Sequence, residues 1–422
     1  MGFTGAMKVF PFGRILFLIL QGLPSSFFNP FFWLVIFIVW SQYRRTAEIE
    51  RNLFGREKIS PRDKILYAVL YGICGGVLGS LLVMVLGISI TEAGLMFVWP
   101  LALLLAIIDP HLMCFSYAGG IVSLFSLLTG LIRIDVAGLM GLVAVLHFVE
   151  SILIYFAGHI NATPVYVKDK RYGVIGGFSL QEFWPVPIML LTIITGDFPP
   201  IDVVQMPDWW PIIKPPAHIL QGDQAIYLML PVVAALGYGE VALSRTPKNR
   251  CRSTSLNLLL FSTSLFLLAV LASRYRPFAY VAAIFAPAAH ELLIMTTKKS
   301  ERAHRPLFIP PEKGEMILDL VKNSPAEKSG LRTGDIILSI NGRELDEAGK
   351  YQEVLSEYPT YIWMRVATPE GKIKEVEIKA FPKGINDIGA ILVPRYSSGS
   401  YVVFENTSFI DRLKALFKKG KS

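Results

Sequence analysis

The stretch "KNSPAEKSGLRTGDIILSINGREL", residues 322–345, decides the fold of the last quarter of the chain. Ser324 stands three residues before Glu327, which is the pattern of a helix N-cap with a capping box. Gly330 supplies the left-handed residue that ends such a short helix. The run IILSI then alternates like a strand, and Asn341–Gly342 is a strong signal for a tight turn. The spacing predicts a small domain with both helix and strands.

The residues that follow extend this pattern. Residues 345–356 form a polar segment whose apolar residues recur at helical spacing. Residues 361–366 (YIWMRV) and 375–380 (EVEIKA) alternate like antiparallel strands joined at Glu370–Gly371. The sequence therefore predicts an α+β domain of about 80 residues.

The motif SPAEKSGLRTGDIILSINGREL closely resembles the core of bacterial PDZ domains in their permuted form, and the resemblance covers roughly residues 304–382. PDZ domains bind extended peptides by adding a strand to a sheet edge, with a helix as the other wall. Bacterial members often carry a carboxylate-binding loop of the form R-P-Y-L-G-I. The nearest match here is RPLFI at 305–309, with Phe308 in the glycine position. The resemblance implies a peptide groove, although RPLFI could instead be only an entry strand. The residues expected to line the groove are Leu307, Phe308, Ile309, Ala348, Tyr351 and Leu355.

The chain as a whole is too apolar for an ordinary soluble protein of its size. Hydrophobic residues make up 53% and charged residues 18%, and the mean hydropathy is +0.48. Several apolar runs approach or exceed the ~20 residues that cross a bilayer. The sequence predicts a polytopic α-helical membrane protein, with about eight or nine helices in residues 26–296. The predicted spans are 26–40, 65–87, 93–108, 112–132, 136–157, 183–196, 224–243, 254–273 and 277–295. Residues 1–25 are expected to lie at the interface or in the membrane.

The distribution of positive charge predicts the orientation of the spans. The alternate loops 41–64, 161–182, 244–253 and 296–305 hold 18 lysines and arginines, whereas the opposite loops hold four. Because basic residues mark cytoplasmic loops, the first set is expected inside and the 196–223 loop outside. The PDZ domain would then lie in the cytoplasm, on a chain anchored in the bacterial cytoplasmic membrane. The positional bias of the charge also gives no reason to expect nucleic-acid binding.

A PDZ domain beside many spans raises the possibility of an intramembrane protease. A zinc enzyme of this type needs H-E-x-x-H, but His290 and Glu291 are followed by Ile294 in the second histidine position. His147 and Glu150 share a helical face, yet no third ligand stands at a suitable spacing. The run GVLGS at 76–80 lacks the G-x-S-G order of a serine protease. We therefore expect no enzyme activity, no metal and no other cofactor.

Five ionisable residues lie within or at the ends of the apolar blocks, where an unpaired charge is costly. They are His147, Glu150, Glu240, His290 and Glu291. A transporter would use such groups as proton or ion sites. Hydrogen bonding between helices is the alternative, and Glu240 and Glu291 also lie near the cytoplasmic ends of their spans. The block pattern shows no inverted repeat, which weakens the transporter hypothesis.

Residues 383–422 form an extension whose last part, 408–422, alternates apolar and basic residues at helical spacing. An amphipathic basic helix of this kind suits the lipids of an anionic inner leaflet. The alternative is a solvated tail.

The combination of many spans, one cytoplasmic PDZ domain and no catalytic set resembles the MinJ-like topological determinants of cell division in Gram-positive rods. This resemblance implies a membrane-anchored scaffold that joins a DivIVA-like curvature sensor to a MinD-like division inhibitor. A regulator or degenerate relative of PDZ-bearing proteases and a transporter with a regulatory PDZ domain are the alternatives.

Overall fold

The computed structural model describes residues 9–54, 57–90, 92–196, 203–216, 225–347 and 349–395. The first part of the chain contains helices and one long-stranded sheet, and the last part contains a second sheet with two short helices. The helices of the first part are α1 Phe12–Gly22, α2 Pro30–Phe54, α3 Pro61–Leu86, α4 Glu92–Ile108, α5 Phe115–Thr129, α6 Val136–Ala157, α7 Pro247–Ala272 and α8 Arg276–Ala303. Its strands are β1 Thr163–Asp169, β2 Gly173–Thr195 and β3 Ala225–Ala242. The last part contains β4 Glu315–Leu320, α9 Pro325–Lys328, β5 Ile336–Ile340, β6 Arg343–Glu344, α10 Lys350–Ser356, β7 Tyr361–Ala367, β8 Ile373–Lys379 and β9 Ala390–Leu392.

The prediction of several apolar helices is confirmed. In the described ranges, α3, α6, α7 and α8 are long and apolar enough to cross a membrane. The pair α1 and α2 would make a fifth span, bent by 71° at its break. Helices α4 and α5 are apolar but shorter.

Two of the predicted helical spans, 183–196 and 224–243, are wrong, because the structure forms strands there. Strands β2 and β3 pair antiparallel from Phe178–Ala242 to Thr195–Ala225, and β1 extends the sheet on the other side of β2. Pro185 and Pro187 favour an extended chain, since proline removes an amide donor and restrains the preceding residue. The long apolar run had masked this signal, because a buried strand and a buried helix are equally hydrophobic. The other seven predicted segments are largely helical.

Helix α3 lies directly against β2 because its facing side carries very small residues. A Cβ at Gly72 would collide with the backbone oxygen of Pro185, and one at Gly76 with that of Pro187. The next residue on this side, Ser80, accepts a hydrogen bond from the Met189 amide at 2.8 Å. Small residues at this spacing allow the backbones to approach closely, as in membrane helix pairs.

Helix α6 occupies the centre of the helical part. Of the spans long enough to cross a membrane, it is the most buried, with 72% of its apolar window inside the protein. It packs mainly against α7 and also against α3. Asp135 caps its N-terminus by accepting from the Gly138 amide at 2.9 Å. The polar residues His147 and Ser151 of α6 are therefore buried.

The second sheet confirms the sequence analysis of residues 322–345. Ser324 accepts a hydrogen bond from the Glu327 amide at 3.2 Å, and Gly330 has a φ of +85°. Asn341 and Gly342 both have positive φ, which suits the two-residue turn between β5 and β6. The sheet order is β8-β7-β5-β4-β9, with β6 paired to β5. Strand β9 comes from the 383–422 segment, so the sheet includes residues beyond the expected boundary at 382.

The helix predicted over 408–422 lies outside the described residues, as does Ala348. The tail helix therefore stays a prediction.

Candidate functional site

The RPLFI segment joins the two parts of the structure. The Phe308 backbone oxygen accepts a hydrogen bond from the Gly176 amide of β2 at 2.9 Å, and the two residues form an antiparallel bridge. The Leu307 amide donates to the Leu243 oxygen, just after β3, at 2.8 Å. The chain's own sheet thus pairs with the segment expected to receive a peptide.

Two side chains of this segment, Phe308 and Ile309, also pack against the first sheet. Phe308 is buried and stacks edge-on against Phe178 of β2, with ring centroids 5.6 Å apart. Ile309 packs against the small apolar cluster that contains Val165 and Ile175. Leu307 remains 45% exposed.

Helix α10 turns its apolar face into the core of the second sheet. Tyr351 and Leu355 are buried in a cluster that includes Ile340 and Ile362. The structure therefore does not bring Phe308 and Ile309 together with these two residues, because they belong to three different apolar clusters. Whether a peptide binds between them stays a prediction.

Further contacts hold the second sheet against the first part. Lys58 Nζ lies 2.6 Å from Asp319 Oδ2 on β4. The Tyr166 hydroxyl donates to the Leu392 oxygen on β9 at 2.8 Å. Burial raises the pKa of the Tyr166 phenol, which keeps it a neutral donor. These contacts all involve loops or strands predicted on the cytoplasmic side.

Glu240 belongs to a buried ion-pair network. Arg250 donates through Nε to Glu240 at 2.7 Å and through Nη1 to Glu301 at 2.8 Å. Glu301 also accepts the amides of Leu243 and Ser244, each at 2.6 Å. Because every charge has a partner, this cluster fixes the junction of β3, α7 and α8, in agreement with the hydrogen-bonding alternative. Arg250 was not singled out from the sequence, because it lies in the basic loop 244–253, whose charges predict orientation.

His147 and His290 meet inside the helical part, on either side of Cys114. Cys114 lies between a short 3₁₀ turn, Pro110–Met113, and the start of α5. Its sulfur lies 3.0 Å from His147 Nε2 and 3.8 Å from His290 Nε2. Glu150 lies one turn beyond His147 on α6.

Glu291 and His290 are linked through Tyr117 of α5. The Tyr117 hydroxyl donates to Glu291 Oε2 at 2.6 Å, and His290 Nδ1 lies 3.3 Å from the same hydroxyl. His111 lies between Asp109 and Glu291, at 2.8 and 3.4 Å. The structure thus brings four of the five ionisable residues into one region and leaves Glu240 in another.

The residues at the positions that a zinc or serine protease would require do not form a catalytic set. Ile294 still occupies the position of the second zinc histidine, so no H-E-x-x-H motif forms. Ser80 is buried and donates to the Gly76 oxygen at 2.6 Å, within its own helix. It is a contact between α3 and β2.

Comparison with known proteins now identifies the second sheet. Residues 316–366 match the PDZ domain family. These residues are a PDZ domain. The probable periplasmic serine endoprotease DegP-like of Chlamydia pneumoniae shares 36% identity with the chain over 67 residues, which are 15% of this chain and 14% of that protein. The match to serine proteases covers the PDZ domain alone.

The chain is also similar to proteins of cell division. It shares 22% identity over 244 residues with the cell division topological determinant MinJ of Bacillus subtilis, or 58% of each chain. It shares 25% identity over 83 residues with the probable MinJ of Lacticaseibacillus paracasei, or 20% of this chain and 23% of that relative. The matched regions therefore span less than two thirds of either relative. The predicted resemblance to MinJ is confirmed at this level.

Proposed function

We propose that this protein is a MinJ-like scaffold of cell division, anchored in the bacterial cytoplasmic membrane, which recruits cytoplasmic proteins through its PDZ domain. The similarity to MinJ over 244 residues carries this proposal. Only 119 residues lie from position 304 onward, so the match must extend well into the helical part. A PDZ domain shared by chance with an unrelated protein would not produce so long a match.

The contacts of the PDZ domain support a cytoplasmic location for it. Lys58, Tyr166, Gly176 and Leu243 all contact this domain and belong to, or directly adjoin, the basic loops. On the other side, the Ile212 amide donates to the Leu86 oxygen at the opposite end of α3. The basic loops and the PDZ domain thus share one end of the helical part, as the positive-inside rule requires of a cytoplasmic face.

Peptide capture would use backbone pairing at an open strand edge. The segment that the resemblance selects for this pairing is Leu307–Ile309, and β2 pairs with it through Gly176 in this structure. Peptide binding and docking of the PDZ domain onto β2 therefore compete. Partners such as DivIVA-like and MinD-like proteins would bind when this contact opens.

The proposal is tested in the bacterium that encodes the protein. A fluorescent fusion at native expression should gather at septa and poles, and deletion of the gene should produce filamentous or misdivided cells. Re-expression of the intact chain should restore division. Uniform membrane fluorescence together with normal division in the deletion strain would reject the division role.

A further inference from the structure

The arrangement of Cys114, His147 and His290 has the features of a metal centre. The three donor atoms all lie within 4.8 Å of one another. In tetrahedral zinc sites, Zn–S is about 2.3 Å and Zn–N about 2.0–2.1 Å, which places sulfur and nitrogen donors about 3.5 Å apart. The observed distances of 3.0 and 3.8 Å lie on either side of this value.

Hydrogen bonds on the far side of each imidazole leave the Nε2 lone pairs free to face the sulfur. His147 Nδ1 lies 2.7 Å from the Val143 carbonyl oxygen, which can only accept, so Nδ1 carries the proton. The Tyr117 hydroxyl donates its hydrogen bond to Glu291, so its oxygen is left to accept one from His290 Nδ1. In the neutral form of each imidazole, Nε2 is therefore the unprotonated atom that faces the sulfur, and such outer hydrogen bonds are what orient histidine ligands in metal sites.

An aromatic side chain and a carboxyl group lie beside the three residues. Phe261 lies edge-on against both imidazoles, with centroids 5.2 Å from His147 and 5.5 Å from His290. A zinc ion bound by one thiolate keeps a net positive charge, which is costly among apolar helices. The carboxyl group of Glu150, one turn beyond His147 on α6, is the acidic group on that helix that can offset it.

The backbone brings the three ligands together from distant parts of the chain. Gly120 of α5 lies against α8, where a Cβ would meet Pro287 Cδ at 2.6 Å and the Ala283 oxygen at 2.7 Å. This close packing holds the start of α5, and hence Cys114, against α8 and α6.

We propose that Cys114, His147 and His290 bind a zinc ion, which fixes the segment between α4 and α5 onto α6 and α8. Imidazole and thiolate ligands are the set that zinc prefers. Three protein ligands leave the fourth position of a tetrahedral zinc site open. Ser116 Oγ, a neutral oxygen 3.1 Å from His147 Nε2, lies beside this group of ligands. The proposal is independent of the role in cell division.

A metal-free network is the competing explanation. In that network the Ser116 hydroxyl donates to His147, and the Cys114 thiol donates to His290. Cys114 would then be an ordinary thiol with no affinity for metal. Solution experiments distinguish the two.

The full-length chain, purified in detergent and incubated with equimolar Zn²⁺, should retain one zinc ion per chain after desalting. The variants Cys114→Ser and His290→Gln should retain only background zinc. Cys74→Ser and His304→Gln, which change an exposed cysteine and an exposed histidine, should retain it fully. Tyr117→Phe keeps all three ligands but removes the acceptor for His290 Nδ1, so its zinc affinity should fall about 10- to 100-fold.

Two further measurements use the unaltered chain, so their results do not depend on whether a variant folds. Co²⁺ in place of Zn²⁺ should give a thiolate-to-cobalt absorption band. Bound Zn²⁺ should protect Cys114 from maleimide, and a chelator should expose it. Absence of the cobalt band, with Cys114 alkylated equally with and without Zn²⁺, would overturn the proposal in favour of the metal-free network.

Discussion

The Gly176 amide and the Phe308 carbonyl oxygen are joined by a 2.9 Å hydrogen bond that links β2 to the segment just before the PDZ domain. The bond lies at the segment that resembles a PDZ carboxylate-binding loop. The proposed capture of a peptide would therefore use the same backbone as this contact.

Substitution of Gly176 should loosen this docking. In Gly176→Val, the added Cβ would meet Leu318 Cδ1 at 2.7 Å and Phe308 Cβ at 3.0 Å, and the valine methyl groups would crowd the contact further. Overpacking of this kind costs about 1–3 kcal/mol. Hydrogen exchange of the Leu307 amide should accelerate in the variant. Gly239→Ala in β3 is the control, since nothing lies within 4 Å of its added Cβ. Equal protection of Leu307 in both variants would show that β2 does not hold the segment.

Removal of the Arg250 guanidinium should destabilise the junction of β3, α7 and α8. Arg250→Gln leaves the Glu240 and Glu301 carboxylates buried without their shared cation, and breaking a buried pair in this way costs about 3–5 kcal/mol. Arg250→Lys should restore little of the lost stability. A single ammonium group cannot contact Glu240 and Glu301 in the two directions that the guanidinium reaches. The midpoint of thermal unfolding in detergent measures the effect.

Arg252→Gln, two residues along the same helix and exposed, should leave the midpoint unchanged. An Arg250→Gln chain as stable as Arg252→Gln would contradict the network.

Leu355→Glu should unfold the PDZ domain. Leu355 is 2% exposed in the core of that domain, and a carboxylate there has no partner and loses its hydration. The expected cost is more than about 3 kcal/mol. Limited proteolysis of the full chain should then cut within 315–380 and spare the helical part. Gln352→Glu adds the same carboxylate on the exposed face of α10 and should resist cleavage. Equal resistance of the two variants would place Leu355 outside the core.

The proposed topology can be tested with single cysteines. In a chain with Cys74, Cys114 and Cys251 replaced by serine, a cysteine at exposed Asp208 should react with an impermeant maleimide in intact cells. A cysteine at exposed Lys372 in the PDZ domain should react only after permeabilisation. Labelling of position 372 in intact cells would refute a cytoplasmic PDZ domain.

The sequence predicted the PDZ domain well because its signals are local. The Ser324 cap, the positive φ of Gly330 and the Asn341–Gly342 turn each act within a few residues. The strands β2 and β3 were not predicted, because buried strands and buried helices are both continuous apolar runs. Pro185 and Pro187 were the available signal for an extended chain.

Helical spacing could not predict that Cys114 lies beside the two histidines. Cys114 is 33 residues from His147 and 176 from His290, and the packing of α5 against α6 and α8 brings it to them. The groove stays a prediction, and the position of Phe308 was out of reach of the sequence for a related reason. Phe308 pairs with Gly176 of β2. The sequence had placed Gly176 in a loop, 161–182, before a predicted helical span.

The most direct test of the scaffold proposal follows a soluble division protein, such as a MinD-like inhibitor, by fluorescence in dividing cells. Cells that express the intact chain should concentrate this partner at septa and poles. Cells that express a chain lacking 304–395, at the same level in the membrane, should show it dispersed while the truncated chain still reaches those sites. A partner that stays concentrated without the PDZ domain would contradict recruitment through that domain.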